Sequence, residues 1–226
     1  MTDVFQPLQD FINDVNARLA RIEARLGLLE IDAAERQTAT TPTELPPMLA
    51  AYDEFEAHCL PPFIAVSTKL GGDFKMIAAL TEKAFAAQRA FLVMASRCRK
   101  PEVVSAALVK ELQECVVEVK AMRNCRSELL NHVNMVREGI EALGWVCVER
   151  TPRPFVESFI EGIDYWGNRI RVQFKASDPD QVEFVVTFKE LFVQLEAYIK
   201  THHLTGVAWN SKGIDSALYL SRPSSS

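Results

Sequence analysis

The chain has 226 residues, 48% of them apolar and 24% charged, enough apolar side chain for one buried core with a short appendage. Its 25 Lys and Arg against 30 Asp and Glu give a formal net charge of −5. That excludes a general nucleic-acid binder, which needs a basic surface to displace phosphate counterions. Nine glycines and eleven prolines leave little room for the many tight turns of a sandwich or barrel, so composition points to a soluble, helical, cytosolic protein.

Met1 to Pro7 has no basic region and no unbroken apolar run, so the N-terminus does not read as a signal peptide. No stretch approaches the ~18 consecutive apolar residues of a membrane span. Instead Phe5, Leu8, Ile12, Val15, Leu19, Ile22, Leu26 and Leu29 follow one another at alternating spacings of three and four. That is the a/d heptad of a coiled coil, narrower than the stripe of a helix lying on its own globule. Arg18 and Arg25 fall at g, and Glu23 and Glu30 at the following e positions, the charge match of parallel strands. Residues 1–33 therefore read as an oligomerisation segment. Leu19 at a with Ile22 at d leans toward a tetramer or higher assembly, and Val15 and Leu29 leave about two to six copies open.

The pattern stops at Ala34, and the Thr- and Pro-rich residues 34–47 read as a flexible tether. Residues 48–220 then read as an all-α antiparallel bundle of six to seven helices. Met48–Leu60 is the first. Pro61-Pro62 opens a second, which stops at Gly71-Gly72 or passes through them with a kink. Asp73 caps a third that runs to Arg99, with Arg97, Arg99 and Lys100 suiting its C-terminal dipole. Pro101 starts a fourth, reaching Asn124, and Ser127–Leu143 is a fifth, stopped by Gly144. Pro154–Ala176 is a sixth, with the strand-like alternation at Ile170–Phe174 read as helix for want of a partner strand. Asp178-Pro179 introduces a seventh, to His203. From Gly206 the chain reads as looser, and residues 221–226 look like the mouth of a low-complexity linker.

Chemistry finds little support. There is no P-loop, no G-x-G-x-x-G and no G-x-S-x-G. A di-iron bundle needs two Glu-x-x-His motifs, and none occurs, so no metal, cofactor or catalytic residue is assigned. The five cysteines show no C-x-x-C spacing and read as buried, reduced thiols. The unusual residues sit at helix ends. Asn131-His132 interrupt an apolar run, Trp145 follows Gly144 at a break, and Trp209 lies in an irregular stretch. A tryptophan there plugs the core or meets a partner.

These same end residues carry a resemblance to a known family. Tyr198-Ile199-Lys200-Thr201-His202-His203-Leu204-Thr205-Gly206-Val207-Ala208-Trp209 resembles the AYIKEFHTTGLAW of the cyclase-associated proteins (CAP). Leu130-Asn131-His132-Val133, followed by Ala142-Leu143-Gly144-Trp145-Val146, is similar to that family's FNHL and ALGWV. Leu70-Gly71-Gly72-Asp73 matches its IGGD. Arg21-Ile22-Glu23 and Arg25-Leu26 sit where the family has its RLE repeats, with Gly27 in place of the second glutamate.

The resemblance implies a non-enzymatic regulator of the actin cytoskeleton. In the family, the helical domain acts on actin carrying cofilin (ADF) and speeds subunit loss at filament pointed ends, in the cytoplasm at cortical actin. The coiled coil makes a homo-oligomer and, in some fungi, contacts adenylyl cyclase. The alternative is accordingly a signalling scaffold that tethers adenylyl cyclase without acting on actin. Proline-rich, monomer-binding and nucleotide-exchange regions lie further C-terminal in the family and are not expected here. Asp73, Asn131, His132, Trp145, Thr205 and Trp209 become candidate contacts to actin or cofilin. The basic clusters Arg97/Arg99/Lys100 and Arg123/Arg126 are a second source of contact.

Overall fold

The computed structural model describes residues 45–122 and 129–221. The heptad positions Leu8, Ile12, Val15, Arg18, Leu19, Ile22, Glu23, Arg25, Leu26, Leu29 and Glu30, the tether up to residue 44, Arg123, Arg126 and residues 222–226 lie outside them. All the described residues but Leu45 belong to one compact unit, Pro46–Ser226.

Its elements are α1 (Pro47–Leu70), α2 (Asp73–Arg97), α3 (Lys110–Ala121), α4 (Leu130–Glu141), a 3-10 turn (Ala142–Cys147), α5 (Pro152–Phe174), α6 (Pro179–His202) and the short α7 (Ser216–Leu220). The described residues contain no strand, only one isolated bridge between Cys98 and Ile214. Each of the six long helices packs on the next, and α6 closes the ring on α1. Helices that follow one another in the chain pack side by side, the all-α bundle that the sequence pattern implied.

An aromatic spine fills the ring. Phe184, Phe188 and Phe192 recur every four residues on α6 and are wholly buried, so they stack along one face. Phe63 of α1 meets the first two rings at 5.1 and 5.3 Å, and Phe85 of α2 lies 5.9 Å from the third. Helix α4 reaches this spine because Gly139 has no side chain. A Cβ there would stand 2.7 Å from the Phe188 ring and 2.9 Å from Phe192, closer than carbon atoms pack.

Several boundaries differ from those the sequence suggests. Pro61 and Pro62 lie inside α1 rather than opening a second helix. Two internal prolines cost a helix about 3 kcal/mol each or more, yet Phe55, Cys59, Leu60, Phe63, Val66 and Ser67 form one buried stripe across them. The carbonyls deprived of a donor belong to Ala57 and His58, which are exposed and open to water.

The fourth helix starts at Lys110, not Pro101. Val103 is 75% exposed, and burial resumes only at Leu108 and Val109, so the intervening turns have no apolar stripe to hold them helical. The fifth is helical from Leu130 to Glu141 and tightens into a 3-10 turn through Gly144. The sixth begins two residues early, at Pro152, and contains Ile170–Phe174 as helix.

Two corrections concern caps and the tail. Asp73 is the first helical residue; Gly72 occupies the cap position without a side-chain bond, and the Asp73 carboxylate still faces the positive end of α2. α2 stops at Arg97 because the next residues turn extended to meet the tail. The Arg99 amide donates to the Ile214 carbonyl at 2.8 Å, and the Ile214 amide donates to Arg97 at 3.0 Å. The Asn210 amide reaches the Cys98 carbonyl at 3.0 Å. The residues after Gly206 are therefore pinned across the end of α2 rather than loose. Cys59, Cys98 and Cys115 are buried free thiols, whereas Cys147 is exposed, since it ends the 3-10 turn at the surface.

Candidate interaction surfaces

The six residues that match family motifs sort onto the two opposite ends of the bundle. At one end, the chain leaves α1 through Gly71 and Gly72, with φ of +72° and +51°. Two successive left-handed positions demand glycine, which accounts for the Gly-Gly of that motif and places the half-buried Asp73 at the start of α2. Asn131 opens α4 beside it and is half-buried. His132 is 0% exposed. Its ring is boxed by Phe74, Phe184 and Phe174 at 5.2, 5.6 and 5.8 Å. Burial pushes its imidazole down to about 4, so it is neutral at physiological pH.

At the other end, α6 finishes in a hydrogen-bond chain. The Ala208 amide donates to His203 Nδ1 at 3.0 Å. That fixes the proton on Nε2, which faces Tyr198 Oη at 2.8 Å, and the tyrosine hydroxyl donates to the Met48 carbonyl at 3.1 Å. One buried imidazole thus ties the α6 terminus, the tail and the start of α1 together. Burial, with His202 beside it, lowers His203 to about 4.

Trp145, also 0% exposed, packs its ring 5.0 Å from His203. Gly206 follows with φ +106°, and a Cβ there would sit 2.7 Å from the Glu149 carbonyl oxygen. The motif's glycine is thus set by backbone approach. Trp209 is half-buried, edge-on to Phe91 at 5.8 Å, and Thr205 is exposed. Thr205, Trp209, Lys100 and Glu149 border a water-sized recess of about 20 Å³. The exposed Arg97, Arg99 and Lys100 sit at the same corner, at the C-terminal end of α2.

Solvent reaches Asp73, Asn131, Thr205 and Trp209 but not His132 or Trp145. As direct contacts, those two are corrected: their rings are interior packing that holds the ends in shape. For Trp145 the choice between core plug and partner contact falls to the core, while Trp209 remains part of the surface.

One surface group was missed in the sequence. On α5, Val156, Ile163, Gly167 and Ile170 are buried, whereas Tyr165 and Val172 are 54% and 79% exposed. Arg169 lies over the Tyr165 and Trp166 rings, 4.6 and 5.2 Å from their centroids. The available signal was apolar and aromatic residues out of phase with the buried stripe. Among the described residues, no cluster of three or more His, Cys, Asp or Glu could hold a metal ion. No described helix is long and apolar enough to cross a membrane.

Comparison with known proteins places this arrangement. The family model described as CAP, N-terminal domain, matches residues 52–207. Human adenylyl cyclase-associated protein 2 is 36% identical over 170 residues, covering 74% of this chain and 36% of that protein. The Schizosaccharomyces pombe adenylyl cyclase-associated protein is 34% identical over 181 residues, covering 77% and 33%. The chain thus spans about a third of the length of these relatives. The N-terminal domain of the Dictyostelium discoideum protein superposes with a TM-score of 0.69 at 31% identity, covering 75% of this chain and 98% of that one. A CAP N-terminal domain crystal structure that indicates variable oligomerisation gives 0.70 at 30% identity, covering 79% and 97%. With a family model covering most of the chain and two solved domains sharing its helical fold, this chain belongs to the CAP family, through its N-terminal domain.

Proposed function

We propose that this chain is an actin-binding regulator that acts with cofilin to speed filament disassembly at pointed ends, and that its N-terminal heptads gather several bundles into one homo-oligomer. One observation supports the reading above the rest. The solvent-accessible motif residues form two groups, Asp73 with Asn131 and Thr205 with Trp209, at opposite ends of a bundle stiffened by an aromatic spine. A rigid body with a contact surface at each end can touch two neighbouring molecules at once. It then favours whichever filament geometry places them at the right separation.

The basic corner Arg97/Arg99/Lys100 beside Thr205 and Trp209 suits an acidic partner surface such as actin's. No bond is made or broken, so binding energy alone does the work. Several bundles on one stem raise the local concentration at a filament end, and a Thr- and Pro-rich tether lets each engage separately. A protein acting this way concentrates at cortical actin.

The test is pointed-end shortening of single filaments carrying cofilin, with residues 1–226 compared with residues 41–226. Faster shortening by both, and more by the longer protein, is the expected result. No acceleration by either protein, each shown to be folded, overturns the proposal.

A further inference from the structure

We infer that residues 210–214 are a latch that presents Arg97 and Arg99 as a pre-arranged pair of cations for carboxylates on the partner surface met by this end of the bundle. The inference rests on the proposed function and names the positioning residues behind its basic corner. The latch lies past residues 52–207, the stretch that the family model matches.

It is built from backbone contacts to the end of α2. A helix leaves its last carbonyls without partners, and basic side chains of the last turn often take them up. Here the tail takes them instead. The Asn210 amide donates to the Ala95 and Cys98 carbonyls at 3.2 and 3.0 Å, and the Ile214 amide donates to the Arg97 carbonyl at 3.0 Å. The Arg99 amide returns a bond to the Ile214 carbonyl at 2.8 Å. The loop between these anchors closes on itself. The Gly213 amide donates to the Asn210 carbonyl at 2.9 Å, and the Lys212 amide donates to Asn210 Oδ1 at 3.0 Å. Gly213 lies flat against the helix end: a Cβ there would collide with the Arg97 carbonyl oxygen and stand 2.8 Å from the Cys98 carbonyl carbon.

The consequence falls on the arginines. Cys98 is extended, with φ −110° and ψ 151°, and is 0% exposed. With Cys98 turned inward, its two neighbours face out, and Arg97 and Arg99 are both exposed. Neither has an ion-pair partner among the described residues. Relieved of capping, both guanidiniums are free for a ligand, and their backbone is fixed before it arrives. A surface carrying carboxylates complements such a pair, and a basic one is repelled. Trp209 is anchored separately, through the Ala208 amide on His203 and its own ring on Phe91.

The test uses the 226-residue protein and two ways of opening the latch without altering either arginine. Gly213→Val wedges it from the helix end, and Ile214→Pro removes an amide donor. Ser211→Ala, exposed on the same loop, is the control. Amide hydrogen exchange reads the latch without actin. The Arg99 and Ile214 amides should be protected in the unaltered chain, and Arg99 should exchange about tenfold faster or more in both variants, each with unaltered helical content. Pointed-end shortening of cofilin-bearing filaments reads the consequence. The concentration giving half-maximal acceleration should rise about tenfold, the scale of one charge-assisted contact, with the maximal rate kept. Arg97→Ala/Arg99→Ala should do the same, and Gly213→Val added to it should change little, because the latch acts through those side chains. Unprotected amides in the unaltered chain, shortening indifferent to an opened latch, or an additive effect of Gly213→Val overturns the inference alone. If the unaltered protein does not speed shortening, the functional proposal fails and this inference falls with it.

Discussion

Acidifying the solution should destabilise the bundle with a slope set by three named groups. His132 and His203 are neutral in the native state down to about 4, against 6.5 for an ordinary histidine. Glu56 goes the other way: burial, with help from Asp53 and Glu82 and against the pull of Arg89, raises it from 4.5 to about 7. Between about pH 4.5 and 6.5 the unfolded chain therefore holds a proton on each histidine that the native state lacks. The native state holds one on Glu56 that the unfolded chain lacks. Two protons against one leave a net uptake on unfolding, so stability falls as pH falls.

Each full proton is worth about 1.4 kcal/mol per pH unit. Glu56 is only half-buried, so solvent screening trims its opposing share, and these groups together contribute a slope of about 1.4 to 2.7 kcal/mol per unit. Urea denaturation followed by circular dichroism across that window measures it. His203→Gln should lower the slope by about 1.4 kcal/mol per unit, and Glu56→Gln should steepen it. An unchanged slope in His203→Gln would refute the buried, neutral imidazole and the hydrogen-bond chain drawn through it.

Packing and capping give four more expectations, each measurable as a change in unfolding free energy. Gly139→Ala should destabilise by about 1–2 kcal/mol despite alanine's better helix propensity, because its methyl meets the buried Phe188 ring at 2.7 Å. Gly144→Ala, whose Cβ would be 3.7 Å from Phe155, should be nearly neutral. Phe188→Ala, in the middle of the spine, should cost about 3–5 kcal/mol. Asp178→Ala removes the carboxylate that accepts from the Asp180 amide at 3.1 Å and should cost about 1 kcal/mol.

Helix existence was readable because the apolar period is strong: the Phe184, Phe188, Phe192 spacing on α6 points one way only. Breaks were less readable. Proline and glycine act locally, whereas burial decides globally, so a continuous buried stripe overrode Pro61-Pro62 and its absence delayed α3 to Lys110. The pinned tail was invisible because its partners, the carbonyls of Arg97 and Cys98, are backbone groups more than a hundred residues away with no sequence signature.

The end residues could be singled out by type but not sorted by role. His132 and Trp145 look as polar or amphipathic in sequence as Asn131 and Trp209, and only packing separates interior from surface. Arg169 was missed for the opposite reason. A lone arginine in a helix reads as solvated face until its stacking on Tyr165 and Trp166 is seen.

The proposed function requires the two ends of the bundle to act together on cofilin-bearing actin. The most direct measurement is single-filament pointed-end shortening by two variants of the 226-residue protein, Asp73→Ala/Asn131→Ala and Thr205→Ala/Trp209→Ala. Each must first show the helical content of the unaltered chain. Either variant alone should lose most of the acceleration, because each end is proposed to hold a different molecule. Full acceleration by both folded variants would contradict it.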